Sequence, residues 1–183
     1  NALNHDRSRA LHERALRVLP GGTSRSVQDT RQHPVYAAEG AGLHVRDVDG
    51  NRYADFYGNA SSLIHGHAHP RIVEAATDRV RKGSVFSLAG ADQVELAEII
   101  CERVRSIDKV RFVNSGTEAV MMGMKLMRAF TGKPVIAKFE GMYHGTTDWA
   151  EVSMRSVPDN WGPVDAPASV PYTPGVSDGI LND

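Results

Sequence analysis

Apolar positions recur along this chain at two different periods, and the period changes wherever turn residues cluster. Between residues 6 and 19, Leu11, Ala15, Val18 and Leu19 share one helical face, and Pro20-Gly21-Gly22 ends the run. Short extended stretches follow at Val35-Tyr36-Ala37, Leu43-His44-Val45 and Arg52-Tyr53-Ala54-Asp55-Phe56. Asp47-Val48-Asp49-Gly50-Asn51 reads as the hairpin turn ahead of the last of these. Pro70 to Lys82 predicts a second helix with Ile72, Val73, Ala76 and Val80 on one face. Asp92 to Arg105 predicts a third, with Asp92 and Glu95 as a capping pair and Val94, Ala97, Ile100 and Val104 as its buried stripe. Val110–Val113 and Val135–Ala137 predict strands on either side of a long helix, Thr117–Phe130, which carries Met121, Met122, Met124 and Met127 and ends at Thr131-Gly132-Lys133-Pro134. Such a strand–helix–strand unit predicts a parallel pair with a right-handed crossover. Residues 156–183 are rich in proline and predict a long, irregular, mobile loop.

Composition narrows the function classes. A net charge of −1 gives no basic footprint for nucleic acid. No apolar run reaches the roughly 18–20 residues of a membrane span. The start of the sequence, Asn1-Ala-Leu-Asn-His-Asp, lacks the charged-then-apolar layout of a secretory signal. The single Cys101 cannot form an internal disulfide and reads as a small core residue, which fits a reducing, cytoplasmic setting.

Candidate chemistry concentrates in two places. In Arg111-Phe-Val-Asn-Ser-Gly-Thr-Glu-Ala119 an apolar strand runs through a Ser-Gly-Thr turn into a helix. Ser115 and Glu118 fit a capping box by themselves. Gly116 and Thr117 are not needed for capping, and a glycine there lets an anion approach helix-start amides closely, as a phosphate would. In Lys138-Phe-Glu-Gly-Met-Tyr-His-Gly145 a second strand leads into a loop bearing Tyr143 and His144, at the strand end where α/β sheets place ligands. Metal-like patterns read as structural. Asp47, Asp49 and Asn51 alternate as in a calcium loop, but Gly58 stands where its twelfth-position glutamate belongs. His65, His67 and His69 alternate before Pro70, a residue suited to a helix start; no metal is expected at either place.

The motifs together resemble the class III aminotransferases, which use pyridoxal phosphate (PLP), and within them the glutamate-1-semialdehyde aminomutase branch. The resemblance rests on Pro20-Gly21-Gly22, Asp47-Val-Asp-Gly50, Gly66-His-Ala-His-Pro70, Phe112-Val-Asn-Ser-Gly-Thr-Glu-Ala119 and Phe139-Glu-Gly-Met-Tyr-His-Gly145. It implies an α/β fold, the PLP-dependent transferase fold type I, whose three-layer α/β/α large domain is incomplete here, with an N-terminal helix and a small β segment. Residues 1–69 would belong to the small domain, and residues 70–183 would form the first part of the large domain. The resemblance assigns the cofactor phosphate to Ser115, Gly116 and Thr117, ring stacking to Tyr143, bracing to His144 and a substrate carboxylate to Arg25. It implies transfer of an amino group from an amino acid or amine to a keto acid or aldehyde, through an aldimine and pyridoxamine phosphate, in a homodimer.

The resemblance also sets alternatives. None of Lys82, Lys109, Lys125, Lys133 and Lys138 stands where the family's Schiff-base lysine belongs, so all read as surface residues and no catalytic residue is assigned. That lysine and the aspartate facing the pyridine nitrogen are expected further along, as are strands lying between the two predicted ones; the chain reads as part of a longer enzyme. Aminomutases tend to carry a tryptophan in the loop that here reads Asn59-Ala60-Ser61-Ser62, and the 156–183 loop also departs from theirs. Three readings follow: an aminotransferase, an aminomutase, or a lysine-less piece that holds PLP or another phosphate non-covalently. A metalloprotein using the three histidines is a further, weaker one.

Overall fold

The structure is a computed structural model that describes residues 3–25 and 33–182. The chain divides into two compact units, Asn1–Ser87 and Leu88–Asp183.

The first unit opens with helix α1, Asp6–Ala15. It is shorter than the apolar spacing predicts: Val18 and Leu19 lie in turns, and Pro20–Gly22 forms a 3-10 turn in which Gly21 takes φ 65°. The N-cap position, His5, makes no side-chain cap. The cap comes from the hairpin instead. The Asp49 carboxylate accepts from the amides of Arg7 (2.7 Å) and Ser8 (3.0 Å) and from the Ser8 hydroxyl (2.7 Å). Three antiparallel strands, β1 (Ala37–Ala41), β2 (His44–Asp47) and β3 (Arg52–Ala54), lie in sequence order, with Gly40 opposite Val45 and Val45 opposite Tyr53.

The Asp47–Asn51 turn is held from inside. Asp47 is buried, and its carboxylate accepts from the amides of Asp49 and Asn51, the Asn51 side-chain amide and the Tyr53 hydroxyl. Burial pushes the Asp47 carboxyl upward, but those hydrogen bonds outweigh it and hold the group below its ordinary value. His5, Asp47 and Asp49 bring one donor atom each within 4.8 Å of one another.

Helix α2, Pro70–Arg81, starts at the expected proline, and the second unit begins with α3, Ala91–Arg103. Gly90, not Asp92, is the N-cap of α3, so the predicted capping pair falls inside the first turn, and Val104 has left the helix at φ −116°. Neither helix has a buried residue. The α2 stripe is exposed, with Ile72 and Val73 near half-accessible, whereas of the stripe expected for α3 Val94 and Val104 are exposed and Ala97 and Ile100 are half-buried. Helix α4, Gly116–Thr131, is closed by Gly132 in the left-handed conformation (φ 69°), and α5, Asp148–Glu151, follows.

Two predicted strands do not form. Segments 110–113 and 135–137 carry no strand or bridge pairing among the described residues. An extended segment becomes a strand only when a neighbour takes its N–H and C=O groups, and the sheet is confined to β1–β3. The parallel crossover pair is therefore absent among the described residues.

The segment after α5 is irregular but tethered. Buried Ser153 (φ 54°) donates its amide to the Val170 carbonyl (2.6 Å), accepts the Val170 amide on its hydroxyl (3.2 Å) and accepts the Gly141 amide on its carbonyl (2.9 Å). Met124, Ala150, Met154 and Val176 form the buried apolar set of this unit.

Candidate functional site

The site is built where α4 begins. Ser115 has an extended backbone (φ −153°, ψ 161°), and its hydroxyl accepts from the Glu118 amide at 3.1 Å. Glu118 reaches back and accepts from the Asn114 amide at 2.8 Å. The box fixes how the chain enters the helix and aims the first-turn amides outward, where no intrahelical acceptor exists for them. A Cβ on Gly116 would meet nothing within 4 Å. The space over this helix start is open to an anion.

The Tyr143-His144-Gly145 loop meets this helix start. The Thr146 amide donates to Thr117 Oγ1 at 3.3 Å. Gly145 is buried at φ 101°, and a Cβ there would stand 2.8 Å from both Cα and Oγ1 of Thr117. Only a glycine lets the loop approach so closely. Tyr143 is 66% exposed. His144 is half-buried, and its Nε2 is buried without a hydrogen-bond partner. The role of Gly145 as the point of close approach is not legible from its motif alone. Its signal was a glycine directly after the aromatic–histidine pair. Thr146 carried no signal.

A cavity of about 510 Å³ borders the same loop, lined among others by Met124, Met127, Lys138, Phe139, His144 and Trp149. Lys138 is not the plain surface residue that the sequence suggests. Its Nζ donates to the Val152 carbonyl at 2.5 Å, and burial lowers its pKa, with Glu140 opposing. Arg128 lies over the Trp149 ring at 5.0 Å from its centroid.

Arg25 belongs to the first unit. Its Nη1 donates to Asn59 Oδ1 at 2.8 Å, while Ser26 and Val27 of the same loop lie outside the described residues. The three histidines diverge in role. His67 Nε2 donates to Asp55 Oδ2 at 2.7 Å, and its ring packs on Gly40. His65 and His69 face each other with ring centroids 5.6 Å apart. The Asp55 carboxyl lies below its ordinary value, chiefly through the Gly58 amide and then through His67.

The sequence profile of the family described as "Aminotransferase class-III" matches residues 26–173. A glutamate-1-semialdehyde 2,1-aminomutase of Methanothermobacter thermautotrophicus is 43% identical over 170 residues, covering 93% of this chain and 38% of the relative. The crystal structure of an omega-transaminase from Sphaerobacter thermophilus superposes with a TM-score of 0.90 at 46% identity, over 96% of this chain and 40% of that one. A structure described as a transaminase with PLP bound superposes at 0.89 and 40% identity, over 99% of this chain and 41% of that one. The chain belongs to the class III aminotransferases, and its fold class is that of the PLP-dependent fold type I transaminases. It spans about two fifths of the length of these relatives.

Proposed function

We propose that this chain contributes the phosphate-binding and ring-stacking part of a PLP-dependent aminotransferase, which moves an amino group from an amino acid or amine to a keto acid or aldehyde. One observation carries the reading. The start of α4 and the Tyr143–Thr146 loop meet at Thr117, where the Thr146 amide donates to Oγ1 and Gly145 packs closely, and Tyr143 of the same loop is accessible. The residues present fit the cofactor. The first-turn amides at Gly116 and Thr117, with the Ser115 and Thr117 hydroxyls, suit a dianionic phosphate. Tyr143 offers a π-face for the pyridine ring, and His144 Nε2 is a buried polar atom that needs a partner.

Bound PLP would act as the electron sink that makes amino transfer possible. The chain's own residues bind and orient. Ser115, Gly116 and Thr117 hold the phosphate, Tyr143 fixes the ring plane, His144 braces the ring's surroundings and Arg25 binds a substrate carboxylate through its guanidinium fork. Residues 1–69 then belong to the small domain and 70–183 to the large one. The exposed apolar residues of α2 and α3, Ile72, Val73 and Val94 among them, support further packing, which we assign to a homodimer and its completed large domain. A cytoplasmic setting goes with this reading. Its partners are small-molecule amino donors and carbonyl acceptors.

A second reading, an aminomutase that shifts an amino group within one molecule, is favoured by the 43% identity to the Methanothermobacter aminomutase. The test uses the holoenzyme that contains this chain, reduced with borohydride and weighed intact. One reduced PLP adduct is expected, and a holoenzyme that takes up no PLP sinks the proposal. Loss of the cofactor's yellow colour on adding an amino donor alone, restored by a keto acid, marks the aminotransferase. Conversion of glutamate 1-semialdehyde with no second substrate marks the aminomutase.

A further inference from the structure

The most unusual backbone among the described residues is the turn Gly58–Ser61. Gly58, Asn59, Ala60 and Ser61 all lie in the left-handed region, at φ 51°, 51°, 57° and 61°. Asn tolerates this conformation, whereas Ala and Ser do so at a cost of roughly 1–2 kcal/mol each. Such strain persists only where its surroundings fix it. Here Asp55 Oδ1 accepts from the amides of Tyr57 and Gly58, while Asp55 Oδ2 accepts from His67. The amide of Ser61 donates to the Tyr57 carbonyl and that of Leu63 to the Gly58 carbonyl, both at 3.0 Å.

The product of this arrangement is the direction of one side chain. The Ser62 hydroxyl donates to the Asn59 carbonyl at 2.9 Å, so its oxygen accepts from Asn59 Nδ2 at 3.1 Å. That leaves Asn59 Oδ1 facing Arg25, whose Nη1 donates to it at 2.8 Å. The acceptor is neutral. An aspartate at the same place would also hold the guanidinium, but it would cancel the charge that attracts an anion. An amide oxygen occupies one of the five donors of the guanidinium and leaves both the charge and the other donors.

We propose that Asn59 is a positioning residue that presents Arg25 to the carboxylate of the amino substrate, with the strained turn as its mount. The inference rests on the reading of Arg25 as the carboxylate-binding residue and deepens it. The substrate class is a carboxylate-bearing amino donor.

The experiment uses the holoenzyme that contains this chain. KM and kcat are measured for the amino acid it turns over best, and the matching decarboxylated amine serves as donor or competing ligand. Three variants are compared: Asn59→Gly, Asn59→Asp and Arg25→Ala. Asn59→Gly deletes the amide while relieving a left-handed position, so loss of fold does not confound it. The expected result is a KM for the amino acid raised by roughly tenfold relative to that for the amine, at near-constant kcat, as for loss of one hydrogen bond to a charged group. Asn59→Asp should raise the ratio further, because its carboxylate competes with that of the substrate. Equal changes for amino acid and amine in Asn59→Gly, or none, overturn the role of Asn59. An Arg25→Ala variant that leaves the ratio unmoved, or a holoenzyme that accepts no amino acid, overturns the reading of Arg25 itself.

Discussion

Asp49 caps helix α1 from a hairpin turn well downstream in the sequence: its carboxylate accepts from both the amide and the hydroxyl of Ser8, at 3.0 and 2.7 Å. The contact joins the N-terminal helix to the β hairpin, because Asp49 stands in the turn that Asp47 holds. Ser8 is fully buried. Replacing Ser8 with Ala removes a buried hydrogen bond to a charged acceptor and should lower the unit's stability by about 1.5–3 kcal/mol. Thermal or urea unfolding of the variant checks this; an unchanged midpoint would mean that α1 docks by other contacts.

The same cap predicts an acid response. Burial raises the Asp49 carboxyl's pKa, yet the Ser8 hydroxyl and the amides of Arg7 and Ser8 overcome it and leave the group below 3.8, with the charge of Asp47 opposing. A carboxyl depressed in the folded state contributes stability that is present above its unfolded pKa of 3.8 and is lost as pH falls through the lower folded value. Unfolding followed from pH 6 down should therefore weaken below about pH 4, where paired carboxylates begin to take up protons. Asn at position 49 should flatten Asp49's part of that decline. A slope identical to that of the parent would remove Asp49 from the account.

The left-handed turn makes an opposite kind of prediction. Ala60 and Ser61 sit at φ 57° and 61° with no side-chain reason visible in the sequence for doing so. Glycine at either position relieves strain and should stabilise the chain by roughly 1 kcal/mol, even though glycine loses more chain entropy on folding. A destabilised Ala60→Gly variant, seen by chemical unfolding, would mean that the turn is not strained.

What the sequence made legible was local. Ser115 and Glu118 announce the start of α4 because both partners of the cap lie within one turn, Pro70 marks the start of α2, and Gly132 marks an end that needs a left-handed residue. Three-residue spacing cannot reveal a cap that arrives from Asp49, a His67–Asp55 contact twelve residues apart or the tether from Ser153 to Val170. The segments 110–113 and 135–137 read as strands because their residues favour extension, but strand pairing belongs to two segments at once. The meeting of Thr117 with Gly145 and Thr146 lay in between: each motif was visible, and the contact between them was not.

That meeting can be tested by two glycines with different surroundings. A Cβ at Gly145 collides with Thr117 backbone at 2.8 Å in a conformation that alanine avoids, so Gly145→Ala should separate the loop from the helix start and cost about 1–3 kcal/mol. Gly116 is at the N-terminal end of a helix with open space around it. There alanine should leave the fold intact or strengthen it, since it favours helix by up to about 1 kcal/mol over glycine. It should nonetheless weaken binding of PLP and of inorganic phosphate, because the methyl occupies the space an anion would take. Cofactor titration and thermal unfolding of both variants, measured on the holoenzyme that contains this chain, separate the effects. If Gly116→Ala binds PLP as well as the parent, the phosphate does not sit over the start of α4.

Lys138 supplies a prediction whose sign runs the other way from that of the carboxylates. Burial lowers its pKa from 10.5, against the opposing charge of Glu140. Between the folded value and 10.5 the unfolded chain holds more protons at this site than the folded chain does, so stability rises with pH through that window. Below the window the half-buried ammonium is a cost that the Val152 carbonyl only partly offsets. Lys138→Met keeps the length of the side chain along the cavity wall and removes the charge. It should abolish the alkaline rise and leave stability near neutral pH unchanged or slightly higher. Chemical unfolding at intervals from pH 7 to pH 10 tests both points, and a parent curve that falls steadily over that range would show that Lys138 is not desolvated in the fold.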